Sequence, residues 1–288
     1  MTLPVGLALP TTPELTRPSA LAELARTAEQ LGYAHLWVSD HVLLPSRSHV
    51  PADHQLDPFA SLAWLAAQTR QIRLGTSVLV LPYRGAAATA KSLATIDWLS
   101  DGRLIVGVGA GWLRAEFAAL GVPFDERGRR TDEAIGALRD LWAGRGELTC
   151  LPAGAPERRG AISILVGGSS GAALKRAARI GDGWHPLNLV GTSLSSAIAR
   201  YRAACADYGR PVGRVVARLF PPGLEPGPER RVLMGDDSVA TRELLAAFKA
   251  LGTDELVISW HDADVDLRTV LVRWERFAEA LDQAGTRA

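Results

Sequence analysis

The stretch Leu36-Trp37-Val38-Ser39-Asp40-His41 decides how this sequence is interpreted. An apolar run that ends abruptly in an acid and an imidazole is typical of a buried strand at the carboxyl edge of a parallel sheet, where α/β enzymes carry their chemistry. An imidazole beside an anion at such an edge can donate or accept a proton. His41 is therefore the first catalytic candidate, although an Asp-His pair also occurs in ordinary helix caps and turns.

Outward from this strand, short apolar runs alternate with longer amphipathic segments along the whole chain. Alternation of this kind predicts repeated βα units around a parallel sheet. The candidate strands are Val5–Leu9, His35–Ser39, Ile72–Leu79, Leu104–Val108, Ile162–Val166, Gly183–Pro186, Val215–Phe220 and Glu255–Trp260. A count of about eight units favours an α/β fold that closes into a (β/α)8 TIM barrel over an open doubly wound sheet.

The chain is expected to form a single domain over residues 1–288, because no linker rich in Ser, Gly and Pro and no block of charge divides it. Between the fourth predicted helix and the fifth strand, the segment Gly144–Gly160 is rich in Gly, Pro and Arg and is predicted to be an irregular insertion. Such an insertion is either a lid or a tolerated loop.

Composition excludes several classes of function. With 47% hydrophobic residues and a formal net charge of +1, the chain can bury a large core and has no electrostatic bias toward nucleic acid or an anionic membrane. It shows neither a signal peptide nor an apolar run long enough to span a bilayer, so a cytoplasmic location is expected. Cys150 and Cys205 match no zinc or redox spacing and are expected to be reduced thiols.

Two glycine-rich turns follow predicted strands. Gly107-Val108-Gly109-Ala110-Gly111 follows the fourth strand, and glycines at every second position let the backbone approach a ligand closely. A nicotinamide fingerprint would instead follow the first strand, so that mode of binding is not expected. The turn Val166-Gly167-Gly168-Ser169-Ser170-Gly171 leads into the predicted helix Ala172–Ile180, whose free N–H groups and dipole favour an anion. We expect a phosphate there, a plain tight turn being the alternative.

These motifs, in this order, resemble the bacterial luciferase-like superfamily, and within it the branch that uses the deazaflavin coenzyme F420. The matching segments are Leu31-Gly32-Tyr33, Trp37 to His41, Gly75-Thr76-Ser77-Val78, Gly107 to Trp112, Leu165 to Gly168, and Gly181-Asp182-Gly183-Trp184. The resemblance implies a (β/α)8 barrel with an insertion, a flavin or deazaflavin at the carboxyl rim of the strands, and a homodimer. A deazaflavin passes hydride at C5, so the implied reaction reduces or oxidises a small organic substrate stacked on the ring.

The resemblance also implies roles for individual residues. His41 matches the proton donor or ligand-facing histidine, and Ser77-Val78 matches a non-proline cis peptide that supports one face of the ring. The residues implied to bind the cofactor are Asp40, Ser77, Val78, Ala110, Gly111, Gly167, Gly168, Ser170 and Gly171. Asp40 is expected to orient both the ring and the imidazole, and no metal is expected.

One position departs from the family's pattern. In the sugar-phosphate dehydrogenase branch a glutamate follows the Gly-x-Gly-x-Gly turn, whereas here Trp112 stands there, which argues against a sugar-phosphate substrate. Trp112 is interpreted either as the wall of an apolar substrate pocket or as core at the barrel mouth. Glu116, one turn later, either points back to the site or is an exposed helical residue, and the exposed position is expected.

Four other functions stay open at this point. The nearest is an FMN-dependent monooxygenase on the same barrel, and another is a cofactor carrier without catalysis. A Schiff-base aldolase needs a desolvated lysine on a strand, but Lys91, Lys175 and Lys249 all lie in predicted helices. A metal hydrolase would draw its ligands from one loop-rich segment without a recognised metal-ligand spacing. Its candidate ligands are Asp40, His41, His49, Asp53, His54 and Asp57.

Overall fold

The computed structural model describes residues 3–44, 55–145, 150, 162–221, 227–234, 238–260 and 265–282. Within these residues, eight parallel strands pair in chain order and the first strand pairs with the last, which closes the barrel. The strands are β1 (Val5–Ala8), β2 (His35–Val38), β3 (Arg73–Val80), β4 (Leu104–Gly109), β5 (Ser163–Gly167), β6 (Gly183–His185), β7 (Arg214–Leu219) and β8 (Glu255–Ile258). The predicted (β/α)8 barrel is confirmed.

Helices connect the strands and cover the outside of the barrel. They are α1 (Pro18–Gln30), α2 (Pro58–Gln68), α3 (Ala86–Leu99), α4 (Arg114–Ala119), α5 (Arg127–Trp142), α6 (Gly171–Ile180), α7 (Gly191–Asp207), α8 (Pro228–Met234), α9 (Ser238–Leu251) and α10 (Leu267–Asp282). The sequence predicts one helix between β4 and the insertion, whereas the structure has two, α4 and α5. The insertion therefore lies between α5 and β5. Apart from Gly144, Arg145 and Cys150, the segment Gly144–Gly160 lies outside the described residues.

The apolar core has two layers. The larger layer lies between the strands and the helices, and it buries one apolar face of each of α1 and α10, including Leu24, Ala28 and Trp274. The smaller layer fills the inside of the barrel with Ala8, Trp37, Ile105, Leu165, Val216 and Val257. Strands buried on both faces carry near-continuous apolar runs, which is why the sequence lacks strict alternation.

The third strand is irregular where polar residues interrupt it. The pairing of β3 with β4 shifts in register between Thr76 and Leu79, and the Ser77–Val78 peptide bond inside that interval is cis. The cis bond implied by the resemblance is therefore confirmed.

Two other predictions concern the whole chain. No helix within the described residues is long and apolar enough to cross a bilayer. Cys150 and Cys205 are buried and form no disulfide with each other. The cytoplasmic location and the homodimer stay predictions.

Candidate active site

A cavity of about 700 Å³ lies at the carboxyl ends of the strands. Residues that follow β2, β3, β4, β5 and β6 line it, together with β7 and the starts of α5 and α6. The predicted site residues that line this cavity are Asp40, His41, Ser77, Val78, Ala110, Gly111, Gly167, Gly168 and Ser170. Gly171 is not among the lining residues; it is exposed and begins α6.

His41 is held by a buried carboxylate. Its Nδ1 atom lies 2.8 Å from Oε2 of Glu116, and 11% of its side chain is exposed. Oε1 of Glu116 accepts hydrogen bonds from the backbone N–H groups of Val42 and Leu43 at 2.6 and 3.0 Å. The hydroxyl of Tyr83 donates to Oε2 at 2.9 Å. Since a carboxylate only accepts, the proton of the His41–Glu116 contact sits on Nδ1, which leaves Nε2 for a ligand.

The hydroxyl of Tyr83 is the fourth hydrogen-bond donor to the Glu116 carboxylate. Burial, and then the hydrogen bond to Glu116, raise the pKa of the Tyr83 hydroxyl well above its usual value. The phenol therefore stays protonated at neutral pH and donates to Glu116. Four donors thus converge on one carboxylate and fix its orientation toward His41.

The expectation that Glu116 is an exposed helical residue is wrong. Glu116 is 1% exposed, because the first turn of α4 directs its side chain inward to the four donors. Trp112 precedes α4, lines the cavity and is 61% exposed, so it belongs to the cavity wall and is not core.

Asp40 has a different partner from the one expected. Both carboxylate oxygens accept from Arg84, at 2.6 and 2.7 Å, and Oδ2 also accepts from the N–H of Val80 at 2.8 Å. Burial raises the pKa of the Asp40 carboxyl, whereas the Arg84 hydrogen bonds and charge act in the opposite direction. The proposal that Asp40 orients the imidazole is corrected, because Glu116 makes that contact and Asp40 fixes the loop after β3.

The base of the cavity is a hydrogen-bonded chain around the cis peptide. Arg218 donates to the Ser77 carbonyl, and also to the Ser77 hydroxyl at 2.9 Å. The Ser77 hydroxyl lies 2.7 Å from Nε2 of His185, whose Nδ1 contacts the Val216 carbonyl. Burial lowers the pKa of His185 to about 4, so the ring is neutral, with its proton on Nδ1 facing the carbonyl. Ser77 therefore donates to His185 and accepts from Arg218.

Val78 explains two of the glycines. A Cβ atom at Gly109 would lie 2.6 Å from Cγ2 of Val78, and one at Gly167 would lie 2.5 Å from Cγ1. Any side chain at either position would displace Val78, which itself lines the cavity. The glycine at position 109 therefore makes room for the Val78 side chain, and it also lines the cavity.

Another wall of the cavity is suited to an anion. Ser170 caps α6 by accepting from the N–H of Ala173 at 3.2 Å, and the amino terminus of this ten-residue helix adjoins the cavity. Arg127 and Arg176 line the same cavity. Arg176 pairs with Asp132 and donates to the Gly128 carbonyl, which holds it beside the helix terminus. Two guanidinium groups and a helix amino terminus are the donor set that phosphate prefers.

Several residues of this site were not predicted. They are Tyr83, Arg84, Arg127, Arg176, His185 and Arg218. Two of them carried a usable signal, because His185 and Arg218 are polar residues near the carboxyl ends of short, largely apolar strands. The others lie in helices or turns, where arginine and tyrosine are ordinary.

The metal hydrolase gains no support. Within the described part of the chain, no group of three or more His, Cys, Asp and Glu side chains could hold a metal ion. The Asp40 carboxylate forms an ion pair with Arg84, while His49, Asp53 and His54 lie outside the described residues.

Comparison with known proteins decides the family, because residues 1–285 match the family described as luciferase-like monooxygenase. The chain belongs to this family. The resemblance found in the sequence is therefore confirmed, and the family is one of oxidoreductases and monooxygenases, which supports an enzyme.

Relatives within the luciferase-like family use both kinds of cofactor. An F420-dependent glucose-6-phosphate dehydrogenase of Kineococcus radiotolerans is 35% identical over 194 residues, 63% of this chain and 56% of that protein. An FMNH2-dependent dimethylsulfone monooxygenase of Pseudomonas fluorescens is 35% identical over 182 residues, 58% of this chain and 47% of that protein. The matched segments span about half the length of these curated relatives, and 62% of an uncharacterized protein of Mycobacterium tuberculosis.

Solved structures share the fold. An F420-dependent secondary alcohol dehydrogenase in complex with an F420-acetone adduct superposes with a TM-score of 0.75 at 17% identity, covering 99% of both chains. At this identity the likeness supports the barrel and not a common substrate.

Proposed function

We propose that this luciferase-like protein is an F420-dependent oxidoreductase that transfers a hydride between C5 of the deazaflavin and a small organic substrate. The observation that carries the proposal is the His41–Glu116 pair at 2.8 Å, because it presents a proton-exchanging imidazole to the cavity. Hydride transfer to an organic acceptor needs such a proton source, since the atom that becomes negative must be protonated.

The cavity fits the deazaflavin on the chemistry of its residues. Gly168 and Ser170 at the start of α6, with Arg127 and Arg176, would hold the cofactor phosphate. Val78, packed against Gly109 and Gly167, would support the ring system on the base formed by Ser77 and Arg218. The cofactor would supply or accept the hydride; the protein would supply position and protons.

His41 and Glu116 have complementary roles in this proposal. Neutral His41 carries its proton on Nδ1, so Nε2 can take a proton from an alcohol or amine when the substrate is oxidised. In the other direction the imidazolium gives a proton to the oxygen or nitrogen of a reduced carbonyl or imine. Glu116 keeps the ring in one orientation through Nδ1.

An FMN-dependent monooxygenase is the second candidate. The FMNH2-dependent relative is as similar as the F420-dependent one, with 35% identity in each case. The same anion-binding wall would accept the phosphate of FMN. The two candidates differ in their need for oxygen, since a deazaflavin reacts poorly with it.

An anaerobic turnover experiment tests the proposal. The purified protein is mixed with reduced F420 and a panel of aldehydes, ketones and imines, and reoxidation of the cofactor is followed by absorbance. We expect substrate-dependent reoxidation without oxygen. Product formation that requires oxygen and FMNH2 would favour the monooxygenase, and cofactor binding without turnover of any substrate would favour a carrier.

A further inference from the structure

We infer that the substrate subsite beside His41 takes an uncharged, apolar carbonyl compound, and that Trp112 forms its wall. The inference rests on the proposed function for its location, because it assumes that the reacting atom faces His41. It adds the chemical class of the substrate and a residue that determines specificity.

Trp112 is the first observation. It lines the cavity with 61% of its surface exposed, and its ring stands edge-on to His41, with 6.1 Å between ring centroids and an interplanar angle of 89°. When an apolar ligand covers a solvent-exposed tryptophan at the mouth of a cavity, the burial of apolar surface favours binding. Because Trp112 lies next to the imidazole of His41, this apolar contact would form beside the reacting atom of the substrate.

Three further apolar side chains are exposed, one in the cavity lining and two directly after His41 in the chain. Leu187 lines the cavity and is 47% exposed, while Val42 and Leu43, which directly follow His41, are 43% and 48% exposed. The backbone N–H groups of Val42 and Leu43 are tied to Glu116, which fixes where these side chains begin. Apolar side chains in the cavity wall and directly after a proton-exchanging histidine favour an uncharged ligand.

The charged side chains that line the cavity each have a partner, and two of them, Arg127 and Arg176, belong to the wall proposed for the cofactor phosphate. Asp40 is bonded to Arg84, Asp125 lies 3.6 Å from Arg114, and Arg176 pairs with Asp132. Arg218 is bonded to Ser77 at the base, and Arg127 lies on the α5 side of the cavity with its guanidinium over Phe124.

Lysine, the other common partner of a phosphate or carboxylate, is absent from the described lining of the cavity. Lys91, Lys175 and Lys249 are the lysines of the sequence, and none of them is a lining residue. Among the described residues that line the cavity, each cation already has a partner or lies at the wall proposed for the cofactor phosphate, so a phosphate or carboxylate of the substrate next to His41 would lose its hydration with little compensation.

Two probes with the same ring test this inference. The methyl ketone of naphthalene is uncharged, whereas naphthoate carries a carboxylate at the same position. Each is titrated calorimetrically into the full-length protein, the Trp112→Ala variant and the Trp98→Ala variant. Trp98 is a matched control, because it is 46% exposed on α3 and does not line the cavity.

We expect the ketone to bind about tenfold more tightly than naphthoate, and Trp112→Ala to weaken the ketone by about tenfold. Trp98→Ala should leave both dissociation constants unchanged. Equal or tighter binding of naphthoate, or no effect of Trp112→Ala, would overturn the inference.

A parallel titration with F420 and FMN separates the two proposals. If the wild-type protein binds F420 but not the ketone, the inference fails while the proposed function stands. If it binds the ketone with the expected dependence on Trp112 but binds neither cofactor, the apolar subsite stands and the proposed function fails.

Discussion

The two ends of β2 each carry a histidine beside a glutamate, and the two pairs differ in almost every other respect. At the amino end, Nε2 of His35 lies 3.2 Å from Oε2 of Glu255, and their side chains are 3% and 2% exposed. At the carboxyl end, Nδ1 of His41 lies 2.8 Å from Oε2 of Glu116, and His41 faces the cavity. We call these the closed pair and the open pair.

The surroundings of the closed pair suit stability. Glu255 also pairs with Arg214, and burial, followed by the charges of Arg73 and Arg214, lowers the pKa of His35 to about 3. The closed pair is thus a neutral imidazole beside an ion pair, and neither His35 nor Glu255 lines the cavity at the carboxyl ends of the strands. In TIM barrels the amino end of the strands serves stability and the carboxyl end serves chemistry. The two pairs contain the same residue types and differ in whether the histidine faces the cavity.

The largest expected effect is a loss of stability in acid. The pKa of His35 is lowered to about 3 and that of His185 to about 4, both from 6.5. Below pH 6.5 these two histidines therefore bind protons in the unfolded chain but stay unprotonated in the folded chain until the pH nears 4 and 3. This stability is fully present above pH 6.5 and is lost as the pH falls toward 4 and then 3; His185 alone accounts for about 3 kcal/mol.

Urea unfolding across this pH range measures the effect. The variant His185→Gln cannot titrate at that position, so its free energy of unfolding should depend less steeply on pH. A wild-type free energy of unfolding that stays level as the pH falls from 6.5 to 4 would show that the buried histidines do not resist protonation.

The next effect separates the two pairs by activity. His41→Gln should lower kcat/KM by about 10²- to 10⁴-fold, because it removes the proton-exchanging group while an amide can still bond to Glu116. Its melting temperature should change little. His35→Gln should do the reverse, lowering stability while the folded protein turns over at the wild-type rate. Comparable losses of activity in both variants would remove the distinction between the open and closed pairs.

Asp40→Asn tests whether the rim near the open pair is itself partly structural. The substitution removes the buried carboxylate partner of Arg84 and leaves only the half-exposed Asp57 at 3.7 Å, so we expect a loss of about 2 kcal/mol in the free energy of unfolding. Denaturant titration measures it, and the double variant Asp40→Asn/Arg84→Met should recover part of the loss. If Asp40→Asn instead lowers turnover at unchanged stability, the carboxylate acts on the cofactor or substrate directly.

The smallest effect concerns Glu116 as a positioning residue. In Glu116→Gln the amide can still accept from the Val42 and Leu43 N–H groups, but its NH2 group would face Nδ1 of His41 and the hydroxyl of Tyr83. We expect kcat to fall about tenfold with KM unchanged, and Glu116→Asp to recover less than half of that loss because its carboxylate is one carbon shorter. Glu255→Gln, the matched change in the closed pair, should alter stability only. A wild-type kcat in Glu116→Gln would show that the imidazole is positioned without it.

The fold could be predicted from the sequence because it depends on local patterns. Buried strands such as Leu104–Val108 and apolar helix faces repeat with the period of their own element, so each can be recognised by itself. The observed strands end within two residues of the predicted ones.

The site could be predicted only where the side chain follows directly from a strand end. His41 and Asp40 were found in this way, but their partners Glu116 and Arg84 were not, because they come from other βα units. On a short helix such as α4, the sequence pattern is the same whether a glutamate points inward or is exposed to solvent. Only the tertiary position of Tyr83 and the loop after His41 turns Glu116 inward.

The central claim is that the cavity holds a deazaflavin beside the open pair, and a binding titration tests it most directly. The full-length protein is titrated with F420 and separately with FMN, and tryptophan fluorescence reports binding because Trp112 lines the cavity. We predict saturable quenching by F420, at least tenfold tighter than by FMN and weakened in Arg176→Gln. Tighter binding of FMN, or no binding of F420, would contradict the account.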